Sequence, residues 1–169
     1  MFKKYVFVLL VLMTAFSQKS MAQGPEGKNF GFGIILGEPT GLTLKYWFNR
    51  QNALTGSIGG SYFGSPRINV DYLWHIDAFR SRNATLYAGL GGALGFGSGG
   101  DGFWYKDEKD RFFYRTTNEA GLGVRGTFGL NVIPDRVPLE TFLEIGALVG
   151  LVPSSGAAID LAIGLRFYP

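Results

Sequence analysis

The sequence predicts an all-β fold: an eight-stranded antiparallel up-and-down transmembrane β-barrel with short periplasmic turns and one long extracellular loop. Three observations carry this reading. Apolar and polar residues alternate with period two through eight segments, the mark of strands. Each segment runs about 9 to 13 residues, and roughly 9–11 residues of tilted strand cross a bilayer. Charge is also sorted: one face of every segment is apolar and uncharged, and the other carries the ionisable groups.

The first segment, Asn29 to Gly37, sets Phe30, Phe32, Ile34 and Leu36 against Gly31, Gly33, Ile35 and Gly37. Glu38-Pro39-Thr40 has turn chemistry. Gly41 to Asn49 sets Leu42, Leu44, Tyr46 and Phe48 against Thr43, Lys45 and Trp47, then turns at Arg50-Gln51-Asn52. Ala53 to Phe63 sets Leu54, Ile58 and Tyr62 against Thr55, Ser57 and Ser61, with Gly64-Ser65-Pro66 as the expected turn. In the fourth segment Ile68, Val70, Tyr72, Trp74, Ile76 and Ala78 alternate with Arg67, Asn69, Asp71, Leu73, His75 and Asp77. The fifth, Thr85 to Phe96, sets Leu86, Leu90, Leu94 and Phe96 against Tyr87, Gly89, Gly91, Ala93 and Gly95. A long polar and aromatic insert, Gly97 to Thr117, follows. The sixth sets Ala120, Leu122, Val124, Phe128 and Leu130 against Glu119, Arg125 and Thr127. The seventh sets Leu139, Leu143, Ile145 and Ala147 against Glu140, Phe142, Glu144 and Leu148. The eighth sets Ile159, Leu161, Ile163, Leu165 and Phe167 against Ala158, Asp160, Ala162, Gly164 and Arg166.

A closed barrel in lipid satisfies both faces, and closure removes the unpaired edges of an open sheet. A soluble barrel such as a lipocalin would turn its apolar face inward. The lumen is then expected to hold Lys45, Arg67, Arg125 and Arg166 with Asp71, Asp77, Glu119, Glu140, Glu144 and Asp160, four cations against six anions, beside His75. Eight strands leave room for little more than their own side chains, so these groups read as a salt-bridge network and not an open pore. Inward Gly89, Gly91 and Gly95 are expected to make room for long side chains from opposite strands. Phe30, Tyr46, Phe48, Trp74, Phe128 and Phe167 are expected to form a periplasmic aromatic girdle, with Tyr62 and Phe96 at the exterior rim. The long connection has the parity of an extracellular loop when both ends of the barrel chain are periplasmic.

Composition narrows the class further. Met1 to Ala22 reads as a signal peptide, with Lys3 and Lys4, an apolar run from Tyr5 to Phe16, and Ser20-Met21-Ala22 before the cleavage point. Residues 23–28 form a short N-terminal segment, and 29–169 the barrel. Three of the 16 basic residues and none of the 13 acidic ones lie in the leader, so the mature chain carries 13 of each. The isoelectric point of about 9.2 therefore belongs to the export signal and does not point to nucleic acid. The sequence contains no cysteine, which excludes disulfides, thiolate metal sites and a lipid-anchored N-terminus. Aromatic residues at 15% and charged ones at 17% argue against disorder.

Catalytic and metal-binding patterns are weak. His75 is the only histidine. Ser57, Ser61, Asp71 and Asp77 share its face, yet closing the turn at Gly64-Ser65 puts Thr55 opposite it, so no Ser-His-Asp arrangement is expected. One histidine without cysteine excludes the usual zinc sets. Asp101, Asp107, Glu108 and Asp110 lack the spacing of a calcium loop. Gly95 to Gly100 matches the letters of a dinucleotide fingerprint but no helix follows. Asn83-Ala84-Thr85 falls on a periplasmic turn. No metal or cofactor is expected. The extracellular loop holds the interaction candidates, as a hairpin: Phe103, Trp104 and Tyr105 on one side, and Arg111, Phe112, Phe113, Tyr114 and Arg115 on the other.

Gly33 to Leu42 (GIILGEPTGL), Lys45-Tyr46-Trp47 and Asp71 to His75 (DYLWH) resemble a family of small bacterial outer-membrane barrels. Leu139 to Glu144 and Val152-Pro153 fit the same family. The architecture is similar to the outer-membrane protein A transmembrane domain. The resemblance implies fold and location and carries no activity. Such barrels usually end on an aromatic residue read by the assembly machinery, whereas Tyr168-Pro169 follows Phe167 here. The expected function is a structural or surface-interaction role for a monomer in the bacterial outer membrane. Its expected partners are outer-membrane lipids, lipopolysaccharide, the barrel assembly machinery and an extracellular ligand of unknown nature. The alternatives are a barrel enzyme acting on lipid and a narrow channel.

Overall fold

The computed structural model describes residues 27–79, 81, 83–97, 105–106, 112–113, 120–134, 136–152 and 156–169. Period-two alternation becomes ten strands: β1 (Phe30–Gly37), β2 (Thr40–Trp47), β3 (Asn52–Ser61), β4 (Gly64–Ile76), β5 (Ala84–Gly95), β6 (Tyr105–Lys106), β7 (Phe112–Phe113), β8 (Gly121–Val132), β9 (Leu139–Val152) and β10 (Gly156–Phe167). Eight of them close an antiparallel barrel in the order β1-β10-β9-β8-β5-β4-β3-β2. The seam pairs Phe32 with Phe167 through Gly37 with Ala162. β6 and β7 form a separate two-stranded sheet, Tyr105 opposite Phe113 and Lys106 opposite Phe112. The expected loop hairpin therefore exists as backbone pairing, but as a sheet apart from the barrel. The side chains of the loop candidates, Phe103 to Arg115, lie outside the described residues.

We call the end where β1 starts and β10 finishes the lower end. Local chemistry sets the turns. At the upper end Gly37 adopts a left-handed φ of 115°, which glycine accommodates without a Cβ clash, and Thr40 Oγ1 donates to the Gly37 carbonyl at 2.8 Å. At the lower end the Asn49 side chain accepts from the backbone N–H of Gln51 and of Asn52, both at 2.8 Å, the Asx turn this residue favours.

The sorting of faces is as expected. Leu42 (61% exposed), Leu90 (61%), Ile159 (72%) and Leu161 (60%) stand on an exterior of exposed apolar side chains, while Lys45, Arg67, Glu140 and Asp160 are at most 1% exposed inside. An aromatic belt runs round part of the lower exterior. Phe32 meets Phe167 edge-on at 6.0 Å, Tyr46 meets Phe48 at 5.4 Å, Phe48 stacks on Tyr72 at 6.0 Å, and Tyr72 meets Trp74 at 4.9 Å.

Three expectations are corrected. The β3–β4 turn lies at Tyr62-Phe63, two residues before Gly64-Ser65-Pro66, which already belong to β4. A register shift between Gly59 and Ser61 bends the strand end over the mouth. Tyr62 therefore turns into the lumen (7% exposed) instead of joining the exterior rim, and Phe63 packs beside it with Ala93, Leu148 and Ala158. Second, Asp77 lies past the end of β4 and is exposed. Strand alternation stops at Ile76, so Asp77 has no inward face to occupy. Third, the glycines make room for neighbouring strands, not opposite ones. A methyl on Gly89 would sit 2.5 Å from Leu73 Cδ2, and one on Gly31 2.6 Å from Tyr168 Cζ.

Candidate functional site

The lumen is the candidate site. Its upper half is organised by Asp160 of β10. That carboxylate accepts from Arg67 of β4 twice, Nη1 to Oδ1 at 3.1 Å and Nη2 to Oδ2 at 2.6 Å. It also accepts from Nε of Arg125 on β8 at 2.9 Å and from the Tyr62 hydroxyl. The Arg125 guanidinium continues to Glu144 of β9 at 2.5 Å and to Asp71 of β4. One planar cation thus serves three carboxylates, which its fork of donors permits and an ammonium would not. Arg67 is further held by Asn69 at 2.7 Å and Ser61 at 3.1 Å.

The lower half is organised by Glu140 of β9. Its Oε1 accepts from Lys45 of β2 at 3.0 Å and from Arg166 of β10 at 2.8 Å, and its Oε2 from the Tyr168 hydroxyl. Tyr168 in turn accepts from Trp47 Nε1 at 2.9 Å. His75 Nδ1 faces the Gln51 carbonyl at 3.1 Å, so that nitrogen carries the proton, and Nε2 accepts from Lys45 at 3.1 Å. The Lys45 ammonium lies 4.1 Å from the Trp47 ring centre, and the Arg166 guanidinium 3.8 Å from that of Phe142, both within cation–π range. Tyr87 joins the halves: its hydroxyl donates to Glu144 at 2.8 Å and its ring lies 5.5 Å from His75.

Two phenols seal the ends of this array from outside the strands. Burial, with the Asp160 carboxylate beside it, pushes the Tyr62 hydroxyl well above its ordinary range. Burial and Glu140 do the same for Tyr168. Both remain proton donors at neutral pH.

Nine of the eleven expected lumenal residues are therefore gathered: Lys45, Arg67, Asp71, His75, Arg125, Glu140, Glu144, Asp160 and Arg166. Asp77 is outside the lumen, and Glu119 lies outside the described residues. Among the described residues the buried charges number four cations and four anions, so the expected excess of two negatives does not hold. Trp47 and Tyr87 stand on the inward face as expected and join the network through their hydrogen bonds; Tyr62 and Tyr168 also belong to it and were not anticipated. The consecutive apolar pair Tyr62-Phe63 breaks the period of two, and that break was the available signal for Tyr62.

The arrangement does not assemble a catalytic triad. Ser57 accepts from Asn69 at 3.0 Å, Ser61 accepts from Arg67, and Asp71 is bound by Arg125. Thr55 pairs with Asp71, not with His75 as the misplaced turn implied. His75 instead bonds backbone to backbone with Gln51. Among the described residues no group of three His, Cys, Asp or Glu side chains is placed to hold a metal ion. Asp71 Oδ1, Thr127 Oγ1 and both polar atoms of Asn131 are buried without a partner there.

A closed eight-stranded barrel with an apolar exterior and a charged interior is the outer-membrane type of fold. The solved structures agree. The chain is similar to the N-terminal β-barrel domain of Pseudomonas aeruginosa OprF, with a TM-score of 0.55 at 11% identity over 83% of this chain and 98% of that one. That likeness is one of fold. Comparisons with protein-family models and with curated proteins found no match.

Proposed function

We propose that this chain is a monomeric outer-membrane β-barrel with a structural or surface-interaction role, exported by Met1 to Ala22 and lacking an open pore. The carrying observation is the closed sheet whose exposed exterior, among the described residues, is apolar and uncharged around four buried cations and four buried anions. In water such an exterior would be an aggregation surface, and in lipid it is the required one. The GEPTGL, KYW and DYLWH motifs support membership of the small-barrel family. Phe167, exposed at the end of β10, suits the outward aromatic signal read by the assembly machinery, with Tyr168 turned inward. The chain should fractionate with outer membranes and migrate differently on gels before and after heating. Recovery as a soluble periplasmic protein would overturn the reading.

The alternatives are weaker. The paired charges fill the lumen, so planar-bilayer recordings should show no conductance. His75→Ala should leave the cell's lipid A unchanged, because both nitrogens of that histidine are engaged in packing the lumen. Recognition of a surface ligand is assigned to the Phe103–Arg115 loop. A deletion there that folds yet binds every surface ligand as before would refute it.

A further inference from the structure

We propose that the lower rim of the barrel is an anchoring collar for anionic phospholipid headgroups. The proposal deepens the membrane reading and rests on it. Three short connections close this end, and in the sequence of each an apolar residue lies within two positions of an arginine. In the first, Phe48 stacks on Tyr72 of the aromatic belt while Arg50 is exposed. In the second, Phe79 is 54% exposed, and Arg80 and Arg82 belong to the same stretch of sequence. In the third, exposed Arg136 precedes Val137, which is 37% exposed.

An exposed phenylalanine on a turn is costly in water. At the edge of a bilayer it enters the acyl region, while an arginine beside it reaches outward to phosphate. The short turns of the opposite end differ. Its short connections carry Glu38 in the first, and in the second the aromatic pair Tyr62-Phe63 folds inward. The lower rim joins this pairing to the aromatic belt described above.

Arg136 adds an independent sign. Its φ is 63°, a left-handed conformation that glycine or asparagine adopts at lower cost. A strained turn position occupied by a long cation points to use of the side chain. Asp77 and, by sequence, Asp135 oppose these cations at the same end, and the arginines outnumber them. The collar's selectivity is therefore for anionic over zwitterionic headgroups, and it weakens with salt.

The test folds the full chain into phosphatidylcholine vesicles with and without phosphatidylglycerol and reads the midpoint of the heat-induced gel shift. The anionic lipid should raise the wild-type midpoint, and molar salt should abolish the rise. A combined Arg50→Gln, Arg136→Gly variant should lose at least half of the rise. Its midpoint in phosphatidylcholine alone should equal or exceed wild type, because glycine relaxes the turn. Inorganic phosphate added to phosphatidylcholine vesicles should have no effect; a matching rise there would make the site one for free phosphate and overturn the collar. So would a wild-type midpoint indifferent to phosphatidylglycerol, or a variant that keeps the full rise. Failure to enter either kind of vesicle would instead overturn the membrane reading beneath it.

Discussion

Asp160 in the upper lumen and Glu140 in the lower lumen have the same immediate company. Each accepts from two cations and from a tyrosine placed just beyond a strand, Tyr62 above and Tyr168 below. Their wider surroundings differ. The upper set has Arg67 and Arg125 against Asp71, Glu144 and Asp160, a net of −1. The lower has Lys45 and Arg166 against Glu140, a net of +1, with a histidine acting as acceptor. Neither half is neutral alone. The upper half spreads one guanidinium over three carboxylates. The lower half completes a lysine with an imidazole and the face of an indole. Among the described residues the charges balance only over both halves together, joined through Tyr87 and Glu144.

The sharpest way to break this comparison is Arg125→Met. It leaves Asp71 and Glu144 without their cation, and uncompensated buried charge costs about 3–5 kcal/mol. Urea unfolding in micelles should show a loss of that size or no folded barrel at all. Adding Asp71→Asn and Glu144→Gln to the same chain should recover much of it. Glu140→Gln comes next, toward the lower end of the same range, because the amide oxygen still accepts from Lys45 and Arg166. An equal or larger loss than for Arg125→Met would reverse the ranking of the two halves.

Tyr62→Phe and Tyr168→Phe should each cost about 1.5–3 kcal/mol, the range for hydrogen bonds to charged groups. Tyr168→Phe should cost more, since Trp47 also loses its acceptor. The folded state raises both phenol pKa values. Their contribution is therefore complete below the unfolded tyrosine pKa of about 10 and declines as pH rises above it. An alkaline absorbance titration should show buried phenols, Tyr62 and Tyr168 among them, that do not ionise until the barrel opens. Asp77→Asn should leave the gel-shift midpoint unchanged; a clear loss would return Asp77 to the network.

The barrel was legible because alternation and charge sorting repeat in every strand, so errors in one segment do not propagate. The lumenal membership of Lys45 or Asp160 follows from parity alone. Which cation meets which carboxylate does not, because it depends on the stagger of the closed sheet. Arg125 and Asp71 are 54 residues apart, and no local pattern links them. The β3–β4 turn was misplaced because Gly64-Ser65-Pro66 has the composition of a turn while Tyr62-Phe63 has that of a strand. The closed barrel offers those two rings a mouth to fill, which outweighs local propensity. Asp77 failed for a simpler reason: parity predicts a face only while the strand continues.

Glu140, Glu144 and Asp160 also matter before any sheet exists. They are the only charged residues between Leu139 and Leu165, and without them that stretch would be an uncharged run of 27 residues. A helix of about 20 apolar residues is enough to lodge in a bilayer, and an acidic side chain at its centre costs roughly 2.5–3.5 kcal/mol on insertion scales. On the export proposed above, the carboxylates that demand partners inside the finished barrel would, together with Pro153 in the middle of the stretch, disfavour arrest of the unfolded polypeptide as a helix in the first membrane it crosses. On that same export route, secretion and folding would draw on the same three residues, once as obstacles to premature insertion and once as the anchors of the interior.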